Sequence, residues 1–442
     1  VFHQTGAIVP QPGRDMWTRN FVKLPCSPSN TIYQHSAPED EENGERQGRG
    51  GVLGEIFTAS WLRRRGECFT FALCSQKAIL KYNPKYKDQW SFDALAEFFK
   101  FGACEGVNIS ALVQKIAALA LDLPKRVMKG IPLLQQGRAA AITLSQAQIS
   151  CLLANAFFCT FPHRNSTSFH SDYHTYPSIN FTRLFSHWSE RKMEKLKAIV
   201  HYFHVATETK LDGLVTFERR CLANTDARTW SCCKEEMNKL YVSSCGAIET
   251  EGSGLLQVDF ASSWLGGGVL DSGLLQEEIL FLMSPELIVS RLFTEKLQDN
   301  ECVIVTGCQQ FSTYSGYGDT FRWKGPYADP TGRDGWARRQ RQVLAMDALR
   351  FTHGRDQYSM KLVVRELNKA YCGFKRCDDI ATGKWGCGAF KGDPQLKAVI
   401  QLMAAARAGR GLAFFTFKDE KLEHGLRQAY RLLRTKGTTV GE

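Results

Sequence analysis

An apolar run that breaks at three consecutive glycines and restarts as an acid-led helix constrains this chain more than any other stretch. Leu255-Leu256-Gln257-Val258-Asp259-Phe260-Ala261 reads as a strand. Gly266, Gly267 and Gly268 follow. After seven further residues, Gln276-Glu277-Glu278 leads into the apolar run Ile279–Met283. A strand that hands over to a helix through a glycine loop is the repeating unit of α/β folds, whose ligands bind beyond the carboxyl ends of strands. Glycines let a backbone approach a ligand closely, and their N–H groups can face an anion. Two carboxylates at the mouth of such a loop are a candidate acid–base device. Neighbouring residues diverge on a helix, so one acid with one orienting partner fits better than two acids facing each other across a glycosidic bond. The helix N-terminus would lower a carboxyl pKa there, whereas burial and the adjacent charge would raise it; the expectation is that raising prevails for one of the two. Taken singly, the glycines could be a flexible turn and the acids an exposed helix start. Their order in one span favours a site.

The remaining chain supplies context. It has 442 residues, 43% hydrophobic and 23% charged, with a net charge of +11 that suits anionic partners and equally suits a basic enzyme. Fifteen cysteines, odd in number and scattered, suggest reduced thiols inside a cell. The chain opens on Val1, so it reads as a fragment. The longest apolar stretch, Cys151 to Phe161, is too short to cross a bilayer. Three regions are expected: an extended arm and charged loop over 1–53, a mainly helical accessory domain over 54–205, and an α/β domain over 206–442.

Within the helical region, Ser91, Ser110 and Ser145 are expected to open helices, the second stopped by Pro124. Further on, strands are expected at Leu214–Phe217, Leu255–Ala261, Cys302–Thr306, Val343–Leu349 and Leu412–Phe417. Helices are expected from Ser284-Pro285 to about Leu297, after Ser359 to near Gly373, from Asp393-Pro394 to Gly409, and over Asp419 to Arg434. This alternation predicts a three-layer α/β/α domain with a mixed sheet.

Other residues of chemical interest have blander roles open to them. Cys159, His163, His170 and His174 match no zinc spacing, so loop and surface roles are favoured. The charged runs Glu190–Lys197 and Arg63-Arg64-Arg65 read as solvated faces. A second glycine loop, Ala381 to Asp393, runs into a helix N-terminus, a ready anion site. Tyr314, Tyr317 and Phe321 stand among glycines and could stack on a base or pack a lid. Together these features suggest a nucleotide diphosphate ligand that is cut.

On these residues the chain resembles the catalytic region of eukaryotic-type poly(ADP-ribose) glycohydrolases. The family signature, three glycines, six to eight residues, then Gln-Glu-Glu, reads here Gly266–Gly268 and Gln276-Glu277-Glu278. Similarity extends to LPCSPSN at 24–30, LLANAFFCTFP at 152–162, PELIVSRLFTE at 285–295, GYGDTFRW at 316–323, RELNKAYCGF at 365–374 and WGCGAF at 385–390. The resemblance implies a macrodomain-like α/β fold behind a helical accessory domain. It implies exo-type hydrolysis of ribose–ribose O-glycosidic bonds in protein-attached poly(ADP-ribose), releasing ADP-ribose with no cofactor and no metal. Glu278 would be the acid, Glu277 would hold the ribose, and Asp259 would orient the site. Gln276 and Gly266 belong to the same signature, with Gly267 and Gly268 receiving the diphosphate. Tyr317 would cover the ligand, Ile248, Glu249 and Phe417 would meet the adenine, and Phe390 would belong to a second phosphate loop. The chain departs from the family at Ser262, Lys384 and Lys391, where Asn, Asn and Gly are usual. These departures leave a second reading, an ADP-ribose or polymer binding module with little turnover. The resemblance also implies a monomer in nucleus or cytoplasm, no membrane contact and no direct nucleic-acid partner.

Overall fold

The computed structural model describes residues 20–25, 68–101, 107–164, 173–223, 230–375 and 377–442. The remainder of the expected N-terminal arm, the charged loop at 38–51, Arg63-Arg64-Arg65 and His170 lie outside the described residues.

The N-terminal part is built from helices α1 (Cys68–Tyr82), α2 (Asp93–Phe101), α3 (Ile109–Leu121), α4 (Gln146–Phe157) and α5 (Glu190–Glu208). Ser145 caps α4 in a reciprocal box with Gln148, as its sequence suggests. Two expected caps are displaced. Asn108, not Ser110, caps α3 by accepting the Ala111 N–H. Ser91 lies two residues ahead of Asp93, where α2 begins, and its hydroxyl accepts the Asp93 N–H. An asparagine two residues earlier captures the free N–H groups first. Residues 20–25 lie extended against this body, Val22 donating its N–H to the Ile131 carbonyl at 2.8 Å.

The sheet contains β1 (Ala140–Ser145), β2 (Leu214–Cys221), β3 (Leu240–Ser243), β4 (Leu256–Ala261) and β5 (Glu301–Thr306). After the separate hairpin β6 (Ser312–Ser315) and β7 (Arg322–Pro326), it continues with β8 (Gln342–Asp347), β9 (Ile380–Gly383) and β10 (Leu412–Phe415). Its order is β1-β2-β5-β8-β4-β9-β10-β3. The β1-to-β8 half is antiparallel and the β8-to-β3 half parallel, so the sheet is mixed as expected. Strands β1, β3 and β9 of the sheet and both strands of the hairpin lie outside the expected set, and Ala381, Thr382 and Gly383, read as the start of a glycine loop, belong to β9. β1 lies inside the stretch read as helical and pairs with β2 in register from Ala140–Arg219 to Ser145–Leu214.

Alternation sorts the strand side chains into two layers. On one face Val215, Phe217, Ala261, Val303, Val305, Val343 and Ala345 join the core of the helical part. On the other, Leu256, Val258, Ile304, Leu344 and Met346 meet α7 (Met360–Phe374) and α8 (Pro394–Ala408). Helix α8 ends at Gly409 in the left-handed conformation (φ 69°), and α9 (Glu420–Thr435) is capped by Asp419, both as expected. Two expectations fail. Beyond Ser284 there is no long helix but a 3₁₀ turn, Pro285–Val289, then Ser290–Phe293. β10 stops at Phe415, and Phe417 follows in a positive-φ turn (51°).

Candidate active site

Helix α6 (Gln276–Met283) returns from the glycine loop onto the carboxyl end of β4. Its apolar half, Ile279, Phe281, Leu282 and Met283, is buried, each contributing about 1.5–3 kcal/mol. That anchorage offsets the expense of holding two acids in the first turn under cover. Gln276 fixes the junction. β4 pairs with β9 only through Leu256 and Gln257, leaving later ladder groups open. Gln276 fills them: its Oε1 accepts the Phe260 N–H (2.8 Å) and its Nε2 donates to the Val258 carbonyl (3.2 Å).

The two glutamates grip the loop from its interior. Glu277 accepts the N–H groups of Gly266 (2.6 Å) and Ser262 (2.8 Å). Glu278 accepts those of Gly268 (2.9 Å) and Leu275 (2.8 Å). The Gly267 N–H turns back to the Trp264 carbonyl at 3.0 Å. All three glycine donors are therefore taken within the chain. The expectation that Gly267 and Gly268 receive a diphosphate is corrected on this point: the anions that their loop cradles are the protein's own carboxylates. The need for glycine follows from the same contacts. A Cβ on Gly267 (φ 45°) would come within 2.5 Å of Glu278 Oε1 and 2.9 Å of Glu277 Oε2.

Asp259 lies under this pair, fully buried on the α6 face of β4, opposite Ala345. Neither carboxyl oxygen has a partner among the described residues. Burial first, then the charge of Glu278, pushes its pKa well above the usual carboxylate range. Burial likewise raises Glu277, with Asp259 and Glu278 adding to it and the Ser262 and Gly266 N–H groups opposing. Asp259 is the firmer proton holder, because no donor supports its charge. Burial thus raises one glutamate of the signature, Glu277, and with it Asp259, which the expectation did not include.

Two cations clamp the loop from outside, and sequence reasoning missed both. Lys195 of α5 donates to the carbonyls of Gly268 (2.9 Å), Val269 (3.1 Å) and Asp271 (2.7 Å). Burial lowers its pKa to about 7 against the pull of Glu278 and Asp271. The run around it is not the solvated face expected: Lys192, Glu194 and Lys195 are buried. The available signal was its spacing, since Lys195, Ile199 and Tyr202 form one i, i+4, i+7 stripe. Arg291 donates to Leu265 (2.7 Å), Gly267 (3.0 Å) and Ser178 (2.8 Å) carbonyls. Its signal was a lone cation inside LIVSRLF.

The other expected residues gather around this centre. Tyr317, half exposed at the tip of the β6–β7 hairpin, sits close enough to Glu278 for that charge to raise its phenol pKa, after burial. The hairpin docks on the loop through the Gly318 N–H to the Leu274 carbonyl (3.0 Å). Tyr314 and Phe321 are packing residues: they stack at 5.9 Å, and the Tyr314 hydroxyl donates to Glu249 Oε1 (2.7 Å). Ile248 is buried, its carbonyl accepting the Gln257 side-chain amide (3.0 Å). Phe417 and Phe260 both crowd Gly383, at 2.9 and 3.4 Å from the position of a Cβ there. These aromatics flank the carboxyl ends of β4, β9 and β10.

The second glycine loop differs from its expectation. The α8 N-terminus is occupied by Asp393, whose carboxylate accepts the Leu396 N–H at 2.8 Å. The open donors lie earlier: the N–H groups of Gly388, Ala389 and Phe390 meet no acceptor among the described residues. Three successive N–H groups without such an acceptor are open to an anion. Lys391 occupies φ 59°, where a glycine would be unstrained. Lys384 pairs with Asp419 at 3.6 Å. Ser262 Oγ accepts the Trp264 N–H (3.2 Å) and so closes a local turn. Cys159, His163 and His174 assemble no cluster of metal-ligand type among the described residues; His163 instead rests on Tyr86 and Trp90.

Residues 227–424 match the family described as poly(ADP-ribose) glycohydrolase, Macro domain fold, and residues 105–219 match its helical domain. Poly(ADP-ribose) glycohydrolase 1 of Arabidopsis thaliana is 32% identical over 72% of this chain and 70% of its own length. Probable poly(ADP-ribose) glycohydrolase 2 of the same plant is 29% identical over 85% of each. Poly(ADP-ribose) glycohydrolase 1 of Caenorhabditis elegans is 32% identical over 80% of this chain and 47% of its own. With the signature loop intact and both catalytic regions matched, the chain belongs to the poly(ADP-ribose) glycohydrolase family.

Proposed function

We propose that this chain hydrolyses the ribose–ribose O-glycosidic bonds of poly(ADP-ribose), mainly from chain ends, releasing ADP-ribose. The observation that carries this reading is the fixing of Glu278. Both its oxygens are held by backbone N–H groups, at the mouth of a loop clamped by Lys195 and Arg291. Such preorganisation is what positions an acid for proton transfer.

Glu278 delivers its proton to the leaving ribose oxygen as the anomeric C–O bond breaks. Positive charge then builds on the ribosyl unit kept in the site, where Glu277 holds the ribose and the bound diphosphate opposes the charge. The Glu278 carboxylate next takes a proton from water, whose oxygen bonds the anomeric carbon. The diphosphate takes its donors from Gly388, Ala389 and Phe390, and Tyr317 covers the ribose end while Phe417, Ile248 and Glu249 meet the base. Asp259, fully buried, touches no substrate; it acts through the charge balance of the glutamates. A monomer, a nuclear or cytoplasmic location and a part in DNA-damage responses are proposed from kinship. Sedimentation and imaging of the tagged chain after genotoxic treatment test them.

The decisive comparison is turnover of purified polymer by the parent chain and by Glu278→Gln, with ADP-ribose binding measured on both. The parent is expected to release ADP-ribose, and the variant to bind it while turning over about 10²–10⁴-fold more slowly. Equal cleavage by both removes Glu278 as the acid. Binding by both with cleavage by neither makes the chain a reader, as the turned-in Ser262 hydroxyl would favour.

A further inference from the structure

A cleft of about 270 Å³ shares Gly267 and Gly268 with the catalytic loop. Neither Tyr317, Phe390, Phe417 nor Glu249 lines it, so it is not the seat proposed above for the released unit. Its charge is unbalanced. Three guanidinium groups line it, those of Arg164, Arg183 and Arg291, against one carboxylate, that of Asp271. Arg183 pairs with Asp271 at 3.6 Å. Arg164 and Arg291 donate to backbone carbonyls, and Arg164 Nε finds no partner among the described residues. Glu277 and Glu278 balance part of the Arg291 charge from across the loop but do not line the cleft, and no carboxylate among the described residues pairs with Arg164. A partly enclosed cleft of one sign focuses field and draws an anion.

Asn180 adds a second kind of demand. It lines the cleft and is 95% buried by its 5% exposure. Its Nδ2 donates to the Phe161 carbonyl at 2.8 Å, which fixes the amide orientation. Its Oδ1 is then left without a donor among the described residues. A site that offers positive charge and one waiting acceptor suits a ligand carrying both phosphate and hydroxyl groups. A phosphorylated ribose has both.

We infer that this cleft binds the sugar-phosphate of the adjoining polymer unit, on the leaving side of the bond cut beside Glu278. The inference rests on the hydrolase reading, since only a polymer continues past the cut. The shared glycine wall places the cleft one peptide from the Glu278 carboxylate, as continuity of the chain requires.

The test uses Glu278→Gln protein, so that binding is read without turnover. Affinities for linear poly(ADP-ribose) of defined length and for free ADP-ribose are measured with and without Arg183→Glu. Arg183 is exposed, so the substitution leaves the fold intact. Asn180→Leu, checked by thermal unfolding, provides the second variant. Expected is a loss of polymer affinity on the order of tenfold, with ADP-ribose affinity unchanged and a weaker salt dependence. Unchanged polymer affinity overturns the inference. So does equal loss for both ligands, and so does single-stranded RNA competing as well as the polymer. Failure of the hydrolase reading is separate: it is absence of cleavage by the parent chain, which this binding comparison does not depend on.

Discussion

At Gly267 one missing methyl group decides whether two carboxylates can share a loop. Gly267→Ala brings a Cβ to 2.5 Å from Glu278 and 2.9 Å from Glu277, in a left-handed backbone that alanine resists by about 1–2 kcal/mol. Both acids must then shift, and displacing a catalytic group by even a fraction of its reach is severe. Expected is a fall in turnover of at least about 10²-fold, read by ADP-ribose release, with the thermal midpoint lowered. An alanine variant with parental kinetics would show that the carboxylates tolerate other placements. Asp259 gives a prediction of sign. Its pKa is raised in the folded chain, so its stabilising share is present below its ordinary value of 3.8 and is lost as pH rises. Asp259→Asn removes that loss. Denaturant unfolding should find the variant gaining on the parent from pH 4 to pH 8. A difference that stays flat with pH would mean that Asp259 carries no proton in the fold.

Helix α5 does at element scale what no local signal announced, because it carries a lysine from the helical part into the catalytic loop. Lys195→Met leaves the carbonyls of Val269 and Asp271 without that donor, at about 1–3 kcal/mol for each orphan, while the Gly268 carbonyl keeps the Asp271 and Gly273 N–H groups. Lys195→Arg keeps a cation and part of the donor set. The methionine variant is expected to lose both stability and turnover, and the arginine variant to recover part of the turnover. Equal activity in all three would make the clamp dispensable. Lys391→Gly runs the other way. It relieves the φ 59° conformation, and the folded state should gain about 0.5–1 kcal/mol, measured by denaturant midpoint. The same elements explain what was legible. Helices α4, α8 and α9 announce themselves through Ser145, Asp393 and Gly409, and Asp419, whose caps act locally. β1, β3 and β9 do not, because their existence depends on partners far along the chain: β2 for β1, and β10 for β3 and β9. The segment after Ser284 carries helix signals but becomes a 3₁₀ turn, where Glu286 is drawn inward to Gln146 and the Gln309 N–H. The Gln276-Glu277-Glu278 signature was readable as chemistry; which anion the glycines hold was not, since that depends on where α6 lands on β4.

For the whole molecule, buried acids in the shared core set how stability answers to pH. Glu286 lies fully buried between the helical part and the sheet, its oxygens accepting from Gln146 Nε2 (2.6 Å) and the Gln309 N–H (2.8 Å). Burial moves its pKa from 4.5 to about 7. Asp259 and Glu277 shift in the same direction. In each, the folded state keeps a proton that the unfolded chain has released, so stability falls as pH rises past the ordinary carboxyl value; for Glu286 the fall runs from about 4.5 through 7. For Glu286 alone the difference converts to about 3 kcal/mol. Asp329, Asp334 and Glu301 shift downward, held by Arg341, by the backbone and side chain of Arg338, and by Arg219 respectively. Their share is present above their ordinary pKa values and is lost as pH falls. The +11 charge adds self-repulsion on that acidic side. Lys195 counts against the trend only above about 7, where it is neutral in the fold and still charged when unfolded, so stability recovers slightly there. The thermal midpoint should therefore peak near pH 5, drop toward pH 7.5, and drop less steeply in Glu286→Gln. The slope is the quantity to compare, since the substitution also disturbs the Gln309 contact. A midpoint that rises steadily from pH 5 to 7.5 in the parent would mean that these acids are ionised in the folded chain, and the proton economy assigned to the active site would fall with it.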